Sequence, residues 1–102
     1  MTDGTSDDEQ LRFIVKGAFN LRSRGTSVIG HIEAGRVVVG DRLRVVRVDG
    51  ELGPAAECTG AGRVRVASWE PGQPVPVALL LPGLQVSDIR EGDVLVRDAV
   101  IV

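Results

Sequence analysis

The chain has very few aromatic residues and a single cysteine. Among its 102 residues there are two Phe, one Trp and no Tyr, so aromatics make up only 3%. A core must therefore be built from Val, Leu, Ile and Ala, which supply most of the 43% of residues that are hydrophobic. The lone Cys58 excludes an internal disulfide and is typical of a reducing cytoplasm, where we expect the protein to be located.

Long apolar runs and a strong net charge are missing as well. The longest apolar run, Val77 to Leu81, is far shorter than the roughly 20 residues of a membrane-spanning helix. The acidic opening MTDGTSDDEQ lacks the features of a secretory signal. Formal net charge is -2, so no overall positive field attracts a nucleic acid or an anionic membrane. The length suits one domain, and the opening Met with its acidic segment suggests a complete small protein.

Motifs that carry chemistry are absent. No GxxxxGK[ST] phosphate loop occurs, and His31 and Cys58 are single and too far apart in sequence to suggest a metal site. The sequence favours His31 as a strand-face residue, Cys58 as a thiol in a polar loop, AAECTGAG, and Trp69 as core packing over a surface contact. We therefore predict no enzyme activity, no cofactor and no metal.

Short segments of alternating apolar and polar residues begin at Leu11. Such alternation is typical of half-buried strands, and no segment shows helical spacing. Thirteen glycines and five prolines separate the segments. The sequence predicts a flexible acidic tail over residues 1–10 and, over residues 11–102, an all-β fold: a closed six- or seven-stranded antiparallel β-barrel. Predicted strands cover residues 11–16, 27–33, 43–48, 63–69, 75–81 and 94–96.

Three glycines interrupt the second and third predicted strands. Gly35 is expected to allow a tight hairpin with positive φ between the two strands. Gly40 predicts a second turn before the Leu43 strand. Gly30, inside a strand, predicts a sharp coil or a close crossing by a neighbour.

Charge is distributed unevenly along the chain. Eight basic residues lie between Arg12 and Val48, against only Glu33 and Asp41. Two interpretations stand: a solvated strand surface, or a positive face that binds phosphate groups. The candidate RNA-binding residues are Arg22, Arg24, Arg36, Arg42 and Arg44.

Several motifs occur in an order that resembles a known family. They are Arg24-Gly25-Thr26, the GHIEAG run of residues 30–35, the VVVGDRL run of residues 37–43, VALLLPG of residues 77–83 and DIREGDVL of residues 88–95. Together these resemble the second domain of elongation factor Tu and related translational GTPases, over about residues 11–97. The resemblance implies a closed β-barrel that contacts charged tRNA or ribosomal RNA and packs against a GTPase domain, which here would be a separate partner.

The resemblance also implies positions for an aminoacyl pocket. Lys16 and Gly17 match the family's acidic pair, Phe19 matches its pocket phenylalanine, and Ile29 and His31 match a threonine and an arginine. A lysine would repel the α-amino group of a charged tRNA, so the pocket is predicted to be dismantled while the barrel is kept. Phe19 is equally well explained as a core residue.

Two hypotheses of function follow. The first is a non-catalytic module that contacts tRNA or ribosomal RNA through the arginines, with strongly salt-dependent binding. The second is a protein-interaction barrel that docks onto a GTPase or another translation factor. A small-molecule site inside the barrel is a weaker third, because side chains fill the interior of a barrel of this size.

Overall fold

The computed structural model describes residues 10–22, 24–63 and 75–98. Seven strands and one short 3-10 turn (Val86–Asp88) lie in these ranges, and the predicted all-β class is confirmed. Most of the predicted 63–69 strand, Trp69 and residues 1–9 of the predicted tail fall outside the described residues. No helix in the described ranges has the length and apolar character needed to cross a membrane. The strands are β1 Arg12–Leu21, β2 Gly25–Ala34, β3 Arg42–Val46, β4 Leu52–Glu57, β5 Gly60–Arg63, β6 Val77–Leu81 and β7 Val94–Arg97.

All neighbouring strands pair antiparallel, in the order β4-β3-β7-β1-β2-β6-β5. The alternation in sequence places one set of side chains inside. In β1, for example, Phe13 and Val15 are fully buried while Arg12 and Lys16 are exposed. The core is almost entirely aliphatic, as the composition predicts, and Phe13 is its one aromatic member among the described residues.

The sheet is strongly curved, because its two edge strands are consecutive in sequence. Only Cys58 and Thr59 separate the end of β4 from the start of β5. In a flat sheet of seven strands the edges would lie roughly 29 Å apart, whereas three Cα–Cα steps span at most about 11 Å. No ladder joins β4 to β5 in the part of the chain that the structure describes, so closure by hydrogen bonds is not established.

Cys58 lies at the crossing between the two edges, and the prediction of a polar loop around it is wrong. Its backbone N–H donates to the Asp41 carbonyl at 2.8 Å, while the next N–H, of Thr59, donates to Leu80 at 2.9 Å. The side chain is fully buried in the core, and Sγ donates to the Gly60 carbonyl at 3.2 Å. The loop was predicted from small and polar residues, but most of those residues belong to the end of β4 and the start of β5, and Ala56 is buried in the core with Cys58.

The expected hairpin at Gly35 is also wrong. Gly35 does have positive φ, 71°, but β2 and β3 are not neighbours, since β1 and β7 lie between them. The glycine instead ends β2 against the start of β1, where an added Cβ would lie 2.8 Å from the Leu11 Cα. Gly40, with φ 103°, lies in the predicted turn before β3.

Candidate nucleic-acid interface

The tip of the β1–β2 hairpin carries two of the predicted RNA-binding residues. Leu21 and Gly25 form the last pair of the ladder, and the Arg24 N–H closes the turn on the Leu21 carbonyl at 3.0 Å. Arg22 and Arg24 are both exposed. Neither forms a salt bridge within the described part of the chain. Their guanidinium groups are therefore accessible to an external anion.

The Arg-Gly-Thr motif fixes this hairpin to the turn that follows β6. The buried Thr26 hydroxyl donates to the Leu84 carbonyl at 2.6 Å. Gly25 has φ 91°, and a Cβ there would lie 2.6 Å from the Pro82 Cα, so only glycine permits this approach. Two motifs that are far apart in sequence thus form one joint. The sequence shows both motifs but not their contact, because nothing local links them.

A groove of about 500 Å³ opens beside this joint. One wall is formed by Asn20, Gly25 and Thr26 of the hairpin, and the other by Leu84 and the Gln85–Ser87 segment. Its polar side chains are amides and hydroxyls, and no charged residue lines it among the residues that the structure describes. Sequence reasoning missed this groove, since Gln85 and Ser87 lie between the VALLLPG and DIREGDVL motifs and no local pattern singles them out.

The other three predicted RNA-binding arginines lie near the start of β1, at the end of the strand that is opposite to the hairpin tip. Phe13 of β1 and Val45 of β3 both pair with Leu95 of β7, from opposite sides. Because β1 and β3 are both antiparallel to β7, the residue before Val45, Arg44, lies level with Arg12 at the start of β1. Arg36 follows Gly35, which packs on the same end. The five candidates therefore form two separate groups, Arg22 with Arg24 and Arg36 with Arg42 and Arg44.

Carboxylates hold most arginines of this second group. The Arg44 guanidinium donates to Asp98 through Nε at 3.0 Å and Nη2 at 3.3 Å, and to the Gly53 carbonyl through Nη1 at 2.9 Å. Arg42 donates through Nε to the same carboxylate at 3.3 Å. Arg97, which the sequence did not single out, pairs with Asp41 and donates to the Arg36 carbonyl at 2.7 Å. Arg36 and the terminal nitrogens of Arg42 have no acceptor in the described ranges.

Asp98 is expected to give this cluster a pH dependence. Hydrogen bonding to Arg44, followed by the contacts of Arg42, outweighs burial and lowers the pKa of Asp98 below its ordinary value. A carboxyl group whose pKa is lower in the folded than in the unfolded protein stabilises the fold at pH values above its unfolded-state pKa, about 3.9. This stabilisation is lost as the pH falls through the pKa of the folded state. Urea unfolding of the wild type and Asp98→Asn from pH 6 to pH 2 should show a stability difference that shrinks below pH ~4. A pH-independent difference contradicts the ion pairs.

The five positions predicted from the aminoacyl pocket lie together on β1 and β2. Gly17 pairs directly with Ile29, and His31 pairs with Ile14. Lys16 is the extra residue of a β-bulge between Val15 and Gly17, and its side chain is exposed. Phe19 is 47% exposed on the outer face, so the alternative that places it in the core is wrong. The structure places these five positions along one stretch of the β1–β2 ladder, and their predicted roles stay predictions.

No protein-family model matches the chain. Among solved structures, the crystal structure of a bacterial selenocysteine-specific elongation factor, EF-Sec, matches with a TM-score of 0.67 and 22% sequence identity, over 94% of this chain. The chain has the fold of one part of a translation elongation factor. The predicted resemblance is thereby confirmed at the level of fold. The match covers 16% of EF-Sec, so the chain spans about a sixth of that protein's length.

Proposed function

We propose that this chain is a non-catalytic β-barrel module that contacts tRNA or ribosomal RNA in a translation-related setting in the cytoplasm. The fold shared with an elongation factor supports the setting. The short crossing from β4 to β5 supports a barrel, since it brings the two sheet edges close together.

The observation that carries the RNA contact is the pair of accessible arginines at the hairpin tip. Arg22 and Arg24 both lie at the tip, between the paired Leu21 and Gly25, and the hydrogen bond of Thr26 to Leu84 anchors the end of the hairpin that carries them. Arginines held in this way bind phosphate groups and position a nucleic acid on the surface. Arg44, whose guanidinium is fully engaged by Asp98 and Gly53, is a weaker candidate.

A contact role without turnover agrees with the chemistry of the described residues. Burial raises the pKa of the Cys58 thiol, which disfavours the reactive thiolate. Within the described ranges no group of three or more His, Cys, Asp and Glu side chains is placed to hold a metal ion. The exposed polar groups of the hairpin end are suited to hydrogen bonding and ion pairing.

Removing both tip arginines is expected to weaken RNA binding. The double variant Arg22→Ala/Arg24→Ala loses two phosphate contacts, so affinity for tRNA in low salt should fall about tenfold and the salt slope should decrease by roughly two. Fluorescence anisotropy with labelled tRNA, from 25 to 200 mM salt, measures both quantities.

The matched control removes the same charge elsewhere. Arg63 and Arg90 are exposed and belong to neither arginine group, so Arg63→Ala/Arg90→Ala should change affinity less than threefold. A third variant, Arg36→Ala/Arg42→Ala, tests the other end, where we expect a smaller loss than at the tip. An equal loss in all three variants, or no binding by the wild type at tens of micromolar, removes the proposal.

A docking role has its own supporting observation. Val48 and Leu52 are 79% and 65% exposed on the β3–β4 hairpin, and Leu52 pairs with the half-buried Val46. Exposed aliphatic residues in one place are typical of a surface that a protein partner covers. A pull-down from the source cytoplasm should then capture a GTPase or translation factor, and Val48→Ser/Leu52→Ser should abolish capture. Recovery of RNA alone counts against docking.

A further inference from the structure

The groove beside the hairpin tip points to a particular form of RNA. Resting on the proposed RNA contact, we propose that this groove binds the minor groove of double-stranded RNA and recognises its ribose 2′-hydroxyls. Arg22 and Arg24, at the rim, take the flanking phosphates.

The polar groups of the groove match a hydroxyl ligand. Asn20, Gln85 and Ser87 are exposed. The Gln85 side-chain oxygen accepts a hydrogen bond from the Asp88 N–H in a capping box, which leaves the amide N–H groups of Gln85 without a partner within the described part of the chain. The side chains of Asn20 and Ser87 form no hydrogen bond within the same ranges. Amides and hydroxyls both donate and accept hydrogen bonds, and so does the ribose 2′-hydroxyl, which lines the wide, shallow minor groove of A-form RNA. The unpaired side-chain groups are therefore free to bind, and their chemistry fits the sugar edge.

The distribution of charge around the groove indicates which residues would contact the ribose and which the phosphates. None of the described residues that line the groove is charged, whereas two arginines flank it in sequence, Arg22 beyond Asn20 and Arg24 before Gly25. Phosphates carry the charge of a nucleic acid and bind arginines, while neutral donors and acceptors suit sugars. A neutral floor with a basic rim thus fits a strand whose ribose edge enters the groove.

Among the described residues, none of those that line this groove is aromatic, which argues against single-stranded RNA. Proteins that hold single strands stack the bases on aromatic side chains. Phe13 is fully buried, and Phe19 alternates with Asn20, so it lies on the outer face. With nothing to stack on, unpaired bases gain little here, whereas a duplex keeps its own stacking.

Both walls of the groove are held in place before any ligand binds. The Thr26–Leu84 hydrogen bond joins them, and the Gln85 N–H donates to the Asp88 carboxylate at 2.8 Å. Arg47 also donates to the Asp88 carbonyl at 2.7 Å, which fastens the 3-10 turn to the end of β3. A fixed shape is what recognition of a duplex by its geometry requires.

Binding to matched probes tests the proposal. We expect the protein to bind a 16-base-pair RNA duplex about tenfold more tightly than the DNA duplex of the same sequence and than either single RNA strand. Methylation of the 2′-hydroxyls should reduce RNA-duplex affinity to the DNA level. Anisotropy titrations at one fixed salt concentration measure the affinity for each of these probes.

Two variants separate the sugar contacts from the phosphate contacts. Gln85→Ala/Ser87→Ala should bring the RNA-to-DNA affinity ratio close to one, while Arg22→Ala/Arg24→Ala should weaken both duplexes equally and preserve the ratio. Proton–nitrogen NMR spectra confirm that each variant is folded. A wild type that binds RNA but prefers single strands, or does not distinguish DNA, overturns this inference and leaves the RNA contact standing. A wild type that binds no RNA overturns both.

Discussion

Replacing Gly30 by alanine is expected to prevent stable folding. A Cβ at Gly30 would lie 1.9 Å from the Ile14 carbonyl oxygen and 2.7 Å from Cε1 of the buried Phe13. Because the nearest atom belongs to the β1 backbone, the clash cannot be relieved by rotating a side chain. Shifting β1 would disrupt its ladders with β2 and β7, so we expect a loss of about 4 kcal/mol or more. Domains of this length are stable by roughly 5–15 kcal/mol.

Gly17→Ala is the matched control for this substitution. Gly17 also lies in the β1–β2 ladder, but no atom comes within 4 Å of its added Cβ, and its φ is not in the positive region. Alanine there should change the free energy of unfolding by less than about 1 kcal/mol. Circular dichroism and urea unfolding compare the two variants. If Gly30→Ala unfolds at the same urea concentration as Gly17→Ala, the close approach of β1 and β2 is wrong.

Gly30 also illustrates how much of the fold could be predicted from sequence. A glycine inside an alternating segment predicts a close approach by a neighbour, and that neighbour is Ile14. Local patterns likewise indicate the all-β class and most strands. They do not indicate that β3, the next strand in sequence after β2, lies three positions away from β2 in the sheet. The hairpin at Gly35 was therefore predicted wrongly.

The sequence predicted the arginines of the candidate site but not how they are grouped in space. Arg44 and Asp98 are 54 positions apart in sequence, and Arg47 and Asp93 are 46 positions apart. Only the register of β3 with β7 brings the two members of each pair together. Charge counting along the chain treats all the arginines alike. The structure distinguishes those that carboxylates hold from those at the hairpin tip, and Thr26 became part of the site through a contact with Leu84.

Removing the Asp93 carboxylate is expected to produce the second large loss of stability. The Asp93 side chain is 3% exposed, and Oδ2 accepts hydrogen bonds from Arg47 Nη1 at 2.7 Å and from the Arg90 N–H at 2.9 Å. In Asp93→Ala the Arg47 guanidinium loses its counter-charge, and the Arg90 backbone N–H loses its acceptor. Breaking a buried pair from one side costs about 3 kcal/mol, which urea unfolding should detect as a clear shift in midpoint.

A surface ion pair supplies the control for Asp93→Ala. Arg12 and Glu33 pair with side chains that are 54% and 52% exposed, so Glu33→Ala should cost less than about 1 kcal/mol. Because Arg47 also holds the Asp88 carbonyl, and thereby the turn that forms one wall of the groove, Asp93→Ala should loosen that wall as well. Faster amide hydrogen exchange at residues 85–88 in folded Asp93→Ala, but not in Glu33→Ala, would show this coupling. Equal stability losses and unchanged exchange in both variants would mean that the buried pair neither stabilises the fold nor shapes the groove.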